Sequence, residues 1–134
     1  PGFRLTARDL EIVQLVADYR CLTSWQINRL LFPPVRHDEA KINPRCQHRL
    51  KMLFQHGYID RREQPQLRSQ GSLPLVYFLA RRGAELLEEQ TRAEVDWDPD
   101  DNDVTAPWFA HLLQTNEVRL RFTLAAQQGG VRLA

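Results

Sequence analysis

Apolar and polar positions alternate along this chain with periods that change from element to element. Leu10, Val13, Val16 and Ala17 recur at about 3.6-residue spacing, which predicts a helix with one buried stripe ending near Arg20. Its start is marked by Thr6 as N-cap, by Asp9 three residues later to return the capping bond, and by Leu5 and Leu10 as a hydrophobic staple. "LTSWQI" repeats the device: Thr23 caps, Gln26 completes a capping box, and Leu22 staples to Ile27. This second helix runs through Leu30 and Leu31 to the stop at Pro33 and Pro34.

"VRHDEAKI" reads as a polar loop, after which Asn43 and Pro44 supply the N-cap and first position of a third helix. Cys46, Leu50, Leu53 and Phe54 share one face of it; His48, Lys51 and Gln55 lie opposite, with Arg45 and Arg49 on a flank. Gly57 is the C-terminal stop. Beyond it the period becomes two, in Tyr58 to Arg61, then comes the turn-rich "EQPQLRSQGSLP" and the β-branched and aromatic "LVYFLA". That is a hairpin with a long tip. A helix over "RRGAELLEEQ" packs down Ala84, Leu87 and Leu86, and a last helix is predicted from about Pro107 to Gln128. The last helix has two apolar faces, Phe109, Leu113, Leu120 and Leu124 on one and Val118, Phe122 and Ala125 nearly opposite, so it is expected to be covered on both sides.

Helix, helix, helix, hairpin, helix predicts an α+β, mostly helical fold: a winged helix-turn-helix with a β-hairpin wing and an additional C-terminal helix. Residues 1–93 form the winged unit, 94–106 an acidic linker, and 107–134 the C-terminal helix, expected to dimerise or to pack against a further domain. At 134 residues the chain is about one domain in size. It has no apolar run near the roughly 20 residues of a membrane span.

Charge changes the picture. The net +1 conceals 11 Lys/Arg against 4 Asp/Glu from Arg29 to Arg82, a balance of +7, and 1 against 9 from Gly83 to Val104, a balance of −8. The positive segment coincides with the third helix and the hairpin, the parts a winged helix lays on double-stranded DNA. Arg45, His48, Arg49 and Lys51 are the expected groove and phosphate contacts, with Gln47 nearer the edge of the face. Arg61, Arg62 and Arg68 are the expected wing contacts, and the Thr23–Ser24 start of the second helix can offer backbone N–H groups to a phosphate besides its capping role. The bland reading of such residues is a solvated face, and the charge shared by helix, strand and tip weighs against it.

Other chemistry finds no footing. Cys46 and His48 point in different directions on a helix, a poor metal geometry. "DWDPDDND" is dense in aspartate, but counted from Asp96 a calcium loop would need glycine at Asp101 and glutamate at Pro107. There is no G-x-S-x-G, phosphate loop or H-E-x-x-H, and His111 and Asn116 read as polar positions on a helix. The chain is therefore read as a non-enzyme without cofactor or metal. Cys21 and Cys46 fit small core residues of a reduced, cytoplasmic protein.

"LTARDLEIVQLVADYRCLTSWQINRLLF", "RCQHRLKMLFQHGYIDR", "LPLVYFLARRGAELL" and "HLLQTNEVRLRF" occur in that order, and together they resemble the replication-relaxation family of plasmids and other mobile elements. The likeness lies in Leu-Thr-x-Arg-Asp, Leu-Thr-x-x-Gln-Ile, Arg-Leu-x-x-Leu-x-x-x-Gly-Tyr and the His-x-x-x-x-Asn formed by His111 and Asn116. The acidic stretch before Pro107 departs from it. The resemblance implies an N-terminal winged helix that binds DNA in replication, relaxation or transcriptional control, often continued by a further C-terminal domain that this chain would lack. The readings that compete are a protein-docking winged helix within a larger replication or transfer complex, and a nuclease or relaxase whose active site lies in that further domain. A homodimer reading two half-sites is the expected assembly.

Overall fold

The computed structural model describes residues 3–33, 41–63, 75–95, 97 and 106–129, with side chains in the last helix described from 111 to 126. Its elements follow in the order α1 (Ala7–Tyr19), β1 (Cys21–Thr23), α2 (Ser24–Leu31), α3 (Pro44–Gln55), β2 (Ile59–Arg62), β3 (Val76–Leu79), α4 (Arg81–Thr91) and α5 (Ala106–Gly129). A three-stranded antiparallel sheet in the order β1-β3-β2 closes the helix-turn-helix, and β2 with β3 forms the base of the wing. This is the winged helix-turn-helix that the pattern predicts. The predicted tip of the wing, including Arg68, lies outside the described residues, as does most of the acidic linker.

Both capping boxes form. Thr6 Oγ1 accepts from the Asp9 N–H at 3.2 Å while the Asp9 carboxylate accepts from the Thr6 N–H at 2.9 Å. Thr23 and Gln26 repeat the exchange at 3.1 and 2.9 Å. Asn43 caps α3 with Pro44 in the first turn, and Gly57, at φ +81°, takes the left-handed turn that frees the chain for β2.

β1 escapes the pattern because three residues are too few to show a period. Pairing reveals it: Cys21, Leu22 and Thr23 lie opposite Phe78, Tyr77 and Val76. As the central strand, β3 is buried along its whole length, and alternation divides its side chains between two cores. Tyr77 and Leu79 join Leu22, Ile59 and the buried faces of α1, α3 and α4 in the main core. Val76 and Phe78 join Cys21 on the other face, where Leu112 and Leu113 of α5 cover them.

Three expectations shift. On α1 the buried set is Ile12, Val13, Val16 and Tyr19 together with Asp9, so the stripe is rotated away from Leu10 and Ala17. In the acidic segment Trp97 is not solvated: its indole Nε1–H donates to the Leu79 carbonyl at 2.8 Å and its ring joins the main core. One face of α5 covers its own winged unit, while Val118 and Phe122 stay 55% and 66% exposed on the other.

Candidate nucleic-acid interface

α3 displays the segregation that its sequence predicts. Cys46, Leu50 and Leu53 are buried, and Arg45, Gln47, His48, Lys51 and Gln55 are exposed. The side chains of these five make no hydrogen bond or ion pair with another described residue. A row of donors without internal partners, carried on a helix rigidly seated in a core, is able to meet an external polyanion without first breaking native contacts.

Arg49 is different. Its Nε donates to Asp9 Oδ1 at 2.8 Å, one Nη donates to the other carboxylate oxygen, and the same Nη reaches the Arg4 carbonyl at 3.2 Å. Its guanidinium stands 5.0 Å from the centroid of the Phe3 ring. The hydrogen bond with Asp9 holds its proton more tightly than in a free arginine. Asp9 is wholly buried, so this pair ties the third helix to the cap of the first. Expected as a groove contact, Arg49 has its guanidinium engaged within the fold, as a strut between α3 and α1.

The two wing arginines also part company. Adjacent residues of a strand point to opposite faces, and the register puts Arg61 opposite Tyr77 and Arg62 opposite Val76. Arg61 thus lies on the α3 side, its guanidinium 4.0 Å from the centroid of Phe54 near the end of α3. Burial raises the Tyr77 hydroxyl above its ordinary value, and a hydrogen bond from Arg61 pulls against that rise. Arg62 lies on the side of the sheet that α5 covers, 5.9 Å from the Phe78 centroid. Only Arg61 continues the basic face of α3.

Thr23 and Ser24 are 8% exposed, and their backbone N–H groups are taken: Thr23 donates to Gln26 Oε1 and Ser24 to the Leu75 carbonyl at 3.0 Å. The capping role is met, and these two N–H groups are committed within the fold. Sequence reasoning left Trp25 unassigned, yet it is 40% exposed beside them, on a stripe continued by Arg29 one turn later. Arg29 itself is paired with Glu117 at 3.2 Å, and Arg82 donates to the His56 carbonyl at 2.8 Å and to the Tyr58 hydroxyl at 3.0 Å. Part of the +7 segment is therefore spent within the fold.

Asn116, expected to be an ordinary polar position, is 4% exposed. Its amide donates to the Tyr19 carbonyl at 3.2 Å and to the Cys21 carbonyl at 2.7 Å. These carbonyls flank Arg20, the C-cap at φ +71° where α1 ends and the chain turns into β1. His111, five residues earlier, is exposed. Burial pushes the Cys21 and Cys46 thiols up to about 12, which suits packing and not nucleophilic chemistry.

The fold and its basic helix define the class as a winged helix-turn-helix protein with a cationic third helix and wing base. The chain belongs to the replication-relaxation family, whose model matches residues 13–132. Among curated proteins no sequence matches it. Among solved structures it is similar to a mutant MarR from E. coli complexed with operator DNA, at 18% identity and a TM-score of 0.47, over 90% of this chain and 76% of that one. No helix among the described residues is long and apolar enough to cross a membrane.

Proposed function

We propose that this protein binds duplex DNA through the exposed face of α3, with Arg45, Gln47, His48 and Lys51 in the major groove and Arg61 at the flanking backbone. The observation that carries the reading is the row of unpartnered polar side chains on α3, continued by a guanidinium held over Phe54 at the base of the wing. A protein-docking face in the same place would show an apolar patch, and these positions are polar throughout. Arg68 would extend the contact along the wing.

The role is one of binding and not of catalysis, in the control of replication, relaxation or transcription on a plasmid or other mobile element, in the cytoplasm. The replication-relaxation family to which the chain belongs supports the replication or relaxation part of that setting. The proposed unit is a homodimer assembled through the exposed stripe of α5.

Fluorescence anisotropy of a random-sequence duplex titrated at several salt concentrations tests the reading. Non-specific binding in the range of about 10⁻⁴–10⁻⁶ M that weakens steeply with salt is the expected result. No binding at low salt would overturn it in favour of a docking module.

A further inference from the structure

A cleft of about 580 Å³ opens where the start of α1, the end of α2 and the first turn of α3 meet. Its volume lies in the range of about 300–1,000 Å³ typical of small-molecule sites. Phe32, Pro33 and Pro44 give it apolar walls, and Arg8, Arg45 and Arg49 bring three guanidinium groups to it. No carboxylate lines it among the described residues. We propose that this cleft binds a small planar carboxylate, a one- or two-ring aromatic acid, and that the ligand competes with DNA for Arg45.

The charges select the ligand. Asp9 neutralises Arg49, and Arg8 shares its charge with Glu11 at 3.5 Å in an exposed pair of little strength. Arg45 makes no ion pair with a described residue, so the cleft keeps an uncompensated positive charge. A phosphate held by the helix N-terminus is disfavoured, because of the first four residues of α3 only Cys46 has an N–H left to offer. Pro44 has none, Arg45 N–H donates to Asn43 Oδ1 at 2.9 Å and Gln47 N–H to the Asn43 carbonyl at 3.2 Å. What remains is recognition by side chains, and a guanidinium fork matches a carboxylate in two parallel hydrogen bonds.

The apolar half of the ligand has a matching surface. Arg8 stands 5.4 Å from the centroid of the Phe32 ring, which sets a cation and an aromatic face side by side. Thr6 Oγ1 accepts from Asp9 N–H, so its own hydrogen is free to donate to the carboxylate. The competition with DNA rests on the interface proposed above, since Arg45 belongs to both sites. By linkage, whatever factor the ligand costs DNA affinity, DNA costs ligand affinity.

The test is a ¹⁵N-correlation NMR titration of the full chain with 2-naphthoate, alongside 2-naphthylmethanol, which lacks the charge, and acetate, which lacks the rings. Saturable shifts confined to the amides around Thr6, Phe32, Arg45 and His48 are expected. Loss of the charge-assisted hydrogen bond should make the alcohol, and naphthoate on Arg8→Gln, bind about tenfold more weakly or worse. Arg8→Gln should leave the spectrum that of a folded chain. Shifts scattered over other surfaces, equal binding of the alcohol, or indifference to Arg8→Gln would overturn the site. A second arm repeats the DNA titration with naphthoate present, and a rise in apparent Kd is expected. If naphthoate binds as described and DNA affinity does not move, the competition and the placement of Arg45 on DNA both fall, and the ligand site stands.

Discussion

At the scale of single residues, the Asp9–Arg49 pair gives the clearest stability prediction. Removing one partner from a buried ion pair strands a desolvated charge, at a cost of about 3–5 kcal/mol. Because the Arg49 side chain keeps 21% of its exposure, the low end of that range applies to Arg49→Ala. Arg49→Lys should recover only part of the loss, since an ammonium cannot span both carboxylate oxygens and reach the Arg4 carbonyl. Urea denaturation measures this directly. Unchanged stability with weakened DNA binding would instead return Arg49 to the groove. Gly83 offers a second residue-level test. A Cβ there would lie 2.2 Å from the Tyr58 carbonyl oxygen and 2.8 Å from Leu79, and the first of these is backbone and cannot swing aside. Although alanine is the better helix former, Gly83→Ala should destabilise the fold by about 1–3 kcal/mol, the cost of overpacking. A raised melting temperature would show that α4 can slide off β2.

At the scale of elements, α3 and the wing separate contacts that position from contacts that specify. If Arg61 touches phosphate, Arg61→Ala should weaken binding to all duplexes alike and reduce the slope of log K against log salt by about 0.9. Arg62→Ala should do less, because its side chain leaves the sheet on the α5 side. His48→Ala should alter preference among sequences. Equal effects of Arg61 and Arg62 would mean that the wing is gripped from both faces. The element boundaries were legible in the sequence wherever a cap announced them: Thr6, Thr23, Asn43 and Gly57 each mark an end that the structure keeps. The basic face of α3 was equally legible, because burial of Cys46, Leu50 and Leu53 dictates which residues remain outside. Contacts across long stretches of sequence were not. Nothing local in Arg49 shows that Asp9 waits forty residues away, and nothing local in Asn116 shows two carbonyls at the end of α1. The Arg61–Arg62 difference could have been read from the period-two pattern, had the parity of the strand been followed through.

α5 joins the rest through Glu117, which accepts from Gln26 Nε2 at 3.0 Å and from Arg29 at 3.2 Å, with Arg121 3.6 Å away. Gln26 is the same residue whose Oε1 completes the cap of α2. Burial alone would raise the Glu117 carboxyl, but the hydrogen bonds from Gln26 and Arg29 and the charges of Arg29 and Arg121 outweigh it, and the carboxyl lies below its ordinary 4.5. The folded state thus holds this proton less tightly than the unfolded chain does. Its contribution to stability is present above pH 4.5 and is lost as pH falls through the lowered value. Denaturation of the wild type and Glu117→Gln from pH 7 to pH 3 should show a gap that closes in acid. A constant gap would assign the effect to packing and not to charge.

For the whole molecule, the decisive question is what covers the outer stripe of α5. One side of this helix is committed: Leu112 and Leu113 close the second face of the sheet, Leu120 is fully buried, and Arg119 lies 3.9 Å from the Tyr19 centroid while donating to the Asp18 carbonyl. Val118 and Phe122 stand one turn apart on the other side, more than half exposed. In the proposed homodimer a two-fold axis crossing that stripe would set it against its own copy, the simplest way to bury an apolar patch in an isologous contact. Such a dimer would also tie the spacing of two α3 helices to one rigid contact, so the half-sites should lie about one helical turn, some 34–36 Å, apart or a multiple of it. Phe122→Glu places a charge in the proposed contact without touching the side that holds α5 to the sheet. Light scattering should show the wild type at twice the chain mass and the variant at the chain mass, with the melting of the variant monomer still cooperative. On a palindromic site the variant should bind with loss of cooperativity, and its affinity for a single half-site should be unchanged. A wild type that scatters as a monomer at all concentrations would remove the two-fold model, and each winged unit would then read its site alone.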